Sequence, residues 1–250
     1  MLLLATDCLE RYGLNRVFQI AREAGFDGIE LIISAIVDTQ DLAYVKKLSK
    51  SFELPVVAVS TPKKAVTKKK IRLALDMAKA LDSRVVVIYP PGILDFEFGR
   101  WLKKSVPLLR SKYRIMIALD NAPAESLFGI LPQYSLNSFA AQKQFRYACF
   151  DTSNVYSHRQ DLLAAAEELK RNIVHVHLSN VKEGKKHFFP DDGILPLESF
   201  LKKLRLNSYE GAISLRVAPK YFPLGENEKV IDLLKKSKKF YEKYFLKKGK

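Results

Sequence analysis

Two carboxylates, two histidines and an arginine occur at or near the ends of apolar runs, where residues of different runs can meet. Asp120 and Asp151 each follow such a run directly, and His175 and His177 are separated by a single residue. Arg216 lies in the last run of the chain. Carboxylate oxygens and imidazole nitrogens bind divalent cations such as Mg²⁺, Mn²⁺ or Zn²⁺, and the same groups transfer protons. These residues therefore predict a metal centre or an acid–base site.

The elements that would position them follow from an alternation of short apolar runs and longer amphipathic stretches. Eight apolar runs, most of them rich in Val and Ile, cover residues 2–5, 28–33, 55–59, 84–89, 115–119, 147–150, 173–178 and 212–217. Helical spacing of apolar residues lies between or after them, over 17–24, 42–52, 65–81, 100–109, 160–170, 197–204 and 229–245. Strands separated by helices run parallel, so the pattern predicts an α/β fold, a (β/α)8 TIM barrel. Without a Gly-rich linker, we expect one domain over 1–250, with a basic helix and tail over 228–250.

Strand residues alternate in direction, so the position of a residue in its run predicts whether its side chain points into the barrel. His175 and His177 share one face, and we expect His175, one step deeper, to be a hydrogen-bonded core residue. The expected inward polar ring comprises Glu30, Ser60, Tyr89, Asp120, Asp151, His177 and Arg216. The irregular segments 122–145 and 180–196 follow the fifth and seventh strands, on the face where such barrels build their sites.

The formal net charge is +15, and two segments supply thirteen of these charges. Residues 61–72 hold six basic residues and no acid, and residues 229–250 hold nine lysines against two acids, a net of +7. Lysines on helices usually form a solvated face, so we expect both segments on the outer ring of the barrel. Nucleic acid is therefore not the expected partner, although the charge leaves it open.

The cysteine content and the first residues of the chain give a prediction of its cellular location. Cys8 and Cys149 are too few for a disulfide scaffold, and we expect Cys149 to pack inside the barrel. The apolar start, 1–5, is too short for a signal peptide or a membrane span. These features predict a cytoplasmic protein without membrane association, and they leave the oligomeric state open.

Five segments, in the order of the predicted strands, resemble the motifs of one superfamily. Residues 26–31 read FDGIEL, 120–123 DNAP, 150–154 FDTSN, 175–180 HVHLSN and 209–216 YEGAISLR. They resemble the motifs GFDGIEL, ENxP, DTxH, HxHLxD and YxGxIxxE of the xylose-isomerase-like TIM barrels. That superfamily includes sugar and sugar-phosphate isomerases and epimerases, and the endonuclease IV-type repair enzymes (AP endonuclease family 2). The resemblance implies an isomerase- or epimerase-like barrel that acts on or binds a small polyol or sugar-type ligand.

The resemblance also implies one divalent metal, Mn, Mg or Zn, which polarises the sugar while two glutamates move the proton. Its four ligands would come from the fifth to eighth strands, where this chain has the expected catalytic residues Asp120, Asp151, His177 and Arg216. Of these, the candidate metal ligands are Asp120, Asp151 and His177. The candidate ligand-binding residues are Glu30, Tyr89, Asn154 and His187.

Arg216 departs from the family pattern, which has a glutamate at this position. A guanidinium group has no lone pair with which to coordinate and stays protonated, so it would repel a metal ion. We therefore favour a degraded site without metal over a site with one divalent ion. Arg216 would stand in for the cation, pair with Asp120 or Asp151, and present its fork to a carboxylate or phosphate. The alternative is a buried ion pair with a purely structural role.

Three functions remain open from the sequence. The surviving carboxylates and His177 favour a sugar isomerase or epimerase, and Arg216 favours a catalytically inactive barrel that binds a ligand or partner. The net charge is the argument for an endonuclease IV-like DNA-repair protein. That class binds further metals at positions that read here as Ser60 or Thr61, Tyr89, Asn154, and Lys185 with His187. Only His187 matches the family residue.

Overall fold

The computed structural model describes residues 1–63, 66–127 and 130–246. Eight parallel strands close into a barrel in which each strand pairs with its neighbours in chain order. They are β1 Leu2–Ala5, β2 Gly28–Ile32, β3 Val56–Ser60, β4 Val85–Ile88, β5 Met116–Asp120, β6 Ala148–Asp151, β7 Ile173–Leu178 and β8 Ala212–Leu215. β8 closes on β1, with Ser214 opposite Leu3. The predicted (β/α)8 TIM barrel is confirmed.

Helices cover the outside of the barrel. In the described part of the chain they are α1 Leu14–Glu23, α2 Leu42–Ser51, α3 Lys68–Ala80, α4 Phe96–Tyr113, α5 Phe139–Phe145, α6 Thr152–Ser157, α7 Leu162–Leu169, α8 Leu197–Leu206 and α9 Asn227–Tyr241. α5 and α6 were not predicted, because helices this short contain too few residues to show a periodic spacing of apolar side chains. A π-helical turn, Glu242–Leu246, follows α9. Ala65, where we predicted a helix to begin, and 247–250 of the basic tail lie outside the described residues.

Side-chain caps determine where several helices begin. Asp41, Asp95 and Asp161 each accept the backbone N–H three residues further on, at 3.0, 3.2 and 2.8 Å. These bonds satisfy N–H groups that the first turn of a helix leaves unpaired. The cap at Asp95 starts α4 at Phe96, before the predicted residue 100.

The interior of the barrel is apolar below the polar ring. Its buried inner layer consists of small and medium side chains: Leu3, Ala58, Val85, Val87, Ala118, Cys149 and Ala212. Cys149 lies two residues before Asp151 on β6 and is fully buried, as predicted. A second apolar layer joins the strands to the helices; in it Phe150 stacks on Phe200, with ring centroids 5.5 Å apart. The two layers hold the strand ends in fixed positions around the site.

The two basic segments lie mainly on the outer surface. Lys69 and Arg72 on α3 and Lys235 and Lys239 on α9 are exposed, as expected. Lys63 differs, because it precedes α3 and its ammonium lies 3.5 Å from Asp7 Oδ2 at the mouth of the barrel. Within the described residues, no helix combines the length and the apolar character needed to cross a bilayer.

Candidate functional site

The predicted polar ring is buried at the C-terminal ends of the strands. Its members, each at most 6% exposed, are Glu30, Ser60, Tyr89, Asp120, Asp151, His177 and Arg216. Strand pairing brings side chains of neighbouring strands to one level, with Asp151 opposite His177 and His177 opposite Ser214. Charged groups this deeply buried need partners or a ligand, so their contacts define what the site can bind.

Glu30 is the acceptor for three side chains. Ser60 Oγ donates to Glu30 Oε1, and His177 Nε2 lies 2.9 Å from the same oxygen. His175 Nε2 lies 3.3 Å from Oε2 and 2.9 Å from Ser214 Oγ, which makes His175 the hydrogen-bonded core residue that we expected. Burial alone would raise the pKa of Glu30, but the two histidines hold it well below its usual value. Glu30 therefore anchors the histidines as a carboxylate.

Arg216 joins three residues of the ring and its rim. Its Nη1 lies over the His177 ring, 2.7 Å from Nδ1 and 3.3 Å from Nε2, and 3.5 Å from Asp120 Oδ2. Its Nε and Nη2 donate to Asp7 Oδ2 at 3.3 and 3.2 Å. Burial opposes the charge, but Asp7 and Asp120 raise the pKa of Arg216 well above its usual value. Arg216 is thus a fixed, buried cation.

His177 is held between a donor and an acceptor. Burial and Arg216 disfavour its charged form, whereas Glu30 and Asp120 favour it and raise its pKa. Arg216 Nη1 lies 2.7 Å from Nδ1 and 3.3 Å from Nε2, over the face of the ring rather than along the lone pair of either nitrogen. On the edge of the ring, Nε2 donates to Glu30 Oε1 at 2.9 Å.

Three carboxylate oxygens of the site lack a hydrogen-bond partner within the described residues. They are Asp7 Oδ1, Asp120 Oδ1 and Asp151 Oδ2, and all three are buried. Asp151 Oδ1, in contrast, accepts the N–H groups of Ser153 and Asn154 at 3.0 and 3.1 Å and thereby starts α6. A buried acceptor without a donor is costly, so the site is suited to a ligand that brings several O–H or N–H donors.

The predicted ligand-binding residues divide into two groups. His187, on a ribbon formed by Asn180–Lys182 and Lys185–Phe188, places Nδ1 3.0 Å from Ser153 Oγ and 3.9 Å from Asp151 Oδ2. Burial lowers the pKa of His187 to about 4, so its ring is neutral at pH 7.

Tyr89 and Asn154 make contacts with neighbouring segments of the structure. Asn154 donates to the carbonyl of Asn121 at 2.9 Å, and Tyr89 meets Tyr134 edge to face with ring centroids 5.3 Å apart. Asn154 Oδ1 is a further buried acceptor without a hydrogen-bond partner among the described residues.

Asp7 and Lys63 also belong to the site, and neither is among the site residues predicted from the sequence. Asp7 follows β1 in a short helical turn, Thr6–Leu9, and receives both Arg216 and Lys63 on one oxygen. These cations lower the pKa of Asp7 below its usual value, against the effect of burial. Its position directly after a strand was the signal that could have revealed it. Lys63 had no such signal, since it looks like part of a basic helix.

Two groups of described residues have ligand atoms close enough to hold a metal ion. They are Glu30, His175 and His177, and Asp120, Cys149 and His177. In the second group, burial strongly raises the pKa of Cys149 and keeps it a thiol, whereas metals bind the thiolate. A cation between Asp120, Asp151 and His177 would also lie against the Arg216 guanidinium, which is 2.7 Å from His177 Nδ1. The residues therefore do not fit a divalent metal at the position that the family motifs imply.

Comparison with known proteins places this barrel among others of similar sequence. The family described as xylose isomerase-like TIM barrels matches residues 18–240. An uncharacterized protein of Mycobacterium tuberculosis (strain ATCC 25618 / H37Rv) is 22% identical over 231 residues, covering 80% of this chain and 82% of the relative.

Solved structures share the fold over almost the full chain. A D-tagatose 3-epimerase-like protein superposes with a TM-score of 0.74 at 16% identity, covering 97% of this chain and 98% of its own. The IOLI protein with a zinc atom has a TM-score of 0.72 at 18% identity, with 98% and 99% covered. D-allulose 3-epimerase from Methylomonas sp., in complex with D-allulose, has a TM-score of 0.67 at 16% identity, with 97% and 96% covered.

Proposed function

This chain belongs to the family of xylose isomerase-like TIM barrels, and from that premise we propose that it binds a small sugar-like ligand and isomerises it without a metal. Arg216 supplies the positive charge in place of the metal that the family motifs imply. The observation that carries this proposal is the position of Arg216 Nη1, 2.7 Å from His177 Nδ1 and 3.5 Å from Asp120 Oδ2. D-Allulose in the Methylomonas relative supports the ligand class.

The unpartnered carboxylate oxygens support a polyhydroxy ligand. Asp7, Asp120 and Asp151 each present a buried oxygen that lacks a donor among the described residues. A sugar carries a hydroxyl group on nearly every carbon, so it brings the several donors that such acceptors need. An anionic ligand would instead be attracted by Arg216 and Lys63 but repelled by four carboxylates, those of Asp7, Glu30, Asp120 and Asp151.

The chemistry assigned to these groups is proton transfer next to a carbonyl. Arg216 donates to the carbonyl oxygen and stabilises the negative charge that develops on it. Asp120 removes the proton from the adjacent carbon as a general base and returns it to the former carbonyl carbon. The hydroxyl proton of the adjacent carbon passes to the former carbonyl oxygen, so that the new carbonyl forms on the adjacent carbon. Since Arg216 replaces the second family glutamate, only Asp120 remains as a base at those two positions. A single base returns the proton to the face from which it came, which suits aldose–ketose isomerisation better than epimerisation.

A second candidate is a barrel that binds the same ligand without turnover. The direct contact of Arg216 with Asp120 favours it, because a carboxylate oxygen held by a guanidinium is not free to take a proton from the ligand. We do not propose a DNA-repair endonuclease. Thr61 accepts the backbone N–H of Tyr89 at 3.1 Å, and Asn154 donates to a backbone carbonyl, so these side chains serve the fold at the further metal positions.

Exchange of substrate hydrogen with solvent deuterium separates these functions. Protein dialysed against EDTA is incubated in D₂O with pentoses, hexoses and their phosphates, and deuterium at the carbon next to the carbonyl is followed by NMR. Metal-independent isomerisation gives incorporation that EDTA does not reduce. Incorporation that requires Mn²⁺ or Zn²⁺ would contradict the role of Arg216. Binding in calorimetry without incorporation and without formation of the isomeric sugar would identify the non-catalytic barrel.

A further inference from the structure

A cavity of about 730 Å³ lies beside the polar ring, between the segments that follow β3, β4 and β5. Most of its lining is apolar or aromatic and includes Pro90, Pro91, Phe98 and Tyr134. Lys63 is the one cation among its lining residues in the described part of the chain. The volume is in the range of pockets that hold small organic molecules, and such pockets are predominantly apolar.

Two contacts connect this cavity to the proposed sugar site. Lys63 lines the cavity, and its Nζ lies 3.5 Å from Asp7 Oδ2, the oxygen that also binds Arg216. Tyr134 lines the cavity as well, and its ring meets that of Tyr89, a member of the polar ring, edge to face at 5.3 Å. Lys63 and the Tyr89–Tyr134 pair therefore link the proposed sugar site to the apolar cavity.

We infer that the natural ligand is a sugar-type compound with an aromatic or similarly apolar substituent, and that the substituent occupies this cavity. The inference rests on the proposed function, because the sugar part takes the place described above. Proline and aromatic side chains favour a flat apolar group, which stacks on them and leaves water. A phosphate suits the cavity less well, since Lys63 is already paired with Asp7 and Asp95 adds a negative charge to the lining.

Gly92 offers a way to fill the cavity. A Cβ atom built at Gly92 would have only the carbonyl oxygen of Gln133 within 4 Å, at 4.0 Å. A phenylalanine side chain can therefore be placed at this lining position without a clash at its first atom. Gly13 provides the matched control, because it is exposed before α1 and a Cβ there meets nothing within 4 Å.

The experiment compares, by calorimetry, the 6-O-methyl and 6-O-phenyl ethers of D-glucose, D-galactose and D-fructose, which keep the carbonyl group that the proposed reaction uses. The inference predicts that at least one phenyl ether binds about tenfold more tightly than its methyl counterpart, because only the phenyl group reaches the cavity. Gly92→Phe should abolish this difference, and Gly13→Phe should preserve it. Thermal unfolding of both variants checks that they fold like the parent protein.

Other outcomes separate the failure of the inference from the failure of the proposed function. Equal affinity of each methyl and phenyl pair would overturn the inference and leave the proposed function intact. Benzyl alcohol that binds as tightly as the phenyl ethers, in competition with them, would overturn the sugar site and keep the apolar cavity as a binding site. No binding by any of these compounds would overturn both.

Discussion

Arg216 Nη1 lies over the ring of His177, 2.7 Å from Nδ1 and 3.3 Å from Nε2. His177 Nε2 in turn faces Glu30 Oε1 at 2.9 Å. A single buried guanidinium is thus part of a chain of groups that runs from Asp7 to Glu30. Its charge would repel a metal ion bound to Nδ1.

Restoring the family residue should therefore create a metal site. Arg216→Glu removes the repulsive charge and adds a carboxylate next to Asp120, Asp151 and His177, so we expect it to bind about one equivalent of Mn²⁺ or Zn²⁺. Elemental analysis after dialysis against the metal measures the content. Arg216→Gln serves as the control, because it removes the charge without adding a carboxylate. Equal metal content in the parent protein and in Arg216→Glu would contradict the replacement of the metal by Arg216.

Removing the charge of Arg216 should destabilise the fold. Arg216→Met leaves the carboxylates of Asp7 and Asp120 buried without their main cation, and breaking a buried pair in this way costs about 3–5 kcal/mol in the free energy of unfolding. Urea unfolding at pH 7 measures the loss. Arg22→Met, which breaks the exposed pair with Glu53, should cost at most about 1 kcal/mol. A loss in Arg216→Met as small as that of the control would mean that the buried charges are not coupled.

His187 should make the stability depend on pH. Its pKa is about 4 in the folded protein and about 6.5 in the unfolded chain, so the unfolded chain takes up the proton first as the pH falls. Its contribution is complete above pH 6.5 and is lost between about pH 6.5 and 4, a loss of about 3 kcal/mol. Carboxylates whose pKa values are lowered in the folded protein affect the stability only at pH values below their ordinary pKa range near 4. Urea unfolding from pH 7 to 4.5 should give a steeper decline in the parent protein than in His187→Gln; equal slopes would refute the assignment.

The sequence was sufficient for the fold and for most members of the candidate site, since strand alternation selected His177 for the barrel interior and the position at a strand end selected Glu30. It left open whether Arg216 pairs with Asp120 or Asp151. The structure favours Asp120 because one oxygen of Asp151 accepts the first N–H groups of α6. That helix has six residues and shows no periodic spacing of apolar residues. The sequence therefore could not predict that Asp151 would cap it. Lys63 likewise resembled its basic neighbours, and only its contact with Asp7 distinguishes it.

Asp7 should position Arg216 rather than act on the ligand's carbon. Asp7→Asn keeps the shape but removes the charge that receives Nε and Nη2 of Arg216 at 3.3 and 3.2 Å. We expect the affinity for the sugar ligand to fall about tenfold, in line with the loss of one charge-assisted hydrogen bond. Calorimetry measures this change. Asp7→Glu, which keeps the charge, should recover part of the affinity; an equal loss in both variants would point to a steric role instead.

Asp120 should be needed for proton transfer far more than for binding. Asp120→Asn keeps a side chain of the same size that still accepts a hydrogen bond from the ligand, so the dissociation constant should rise only about threefold. The amide cannot take up the proton, and deuterium incorporation should fall by at least about 100-fold. NMR measures the incorporation and calorimetry the affinity in the same preparation. Asp76→Asn, at a surface carboxylate that accepts from Tyr113 at 2.8 Å, should change neither. Unchanged incorporation in Asp120→Asn would exclude it as the base and leave Asp151, whose Oδ2 lies 3.8 Å from His177 Nδ1, as the carboxylate that remains at the centre of the ring.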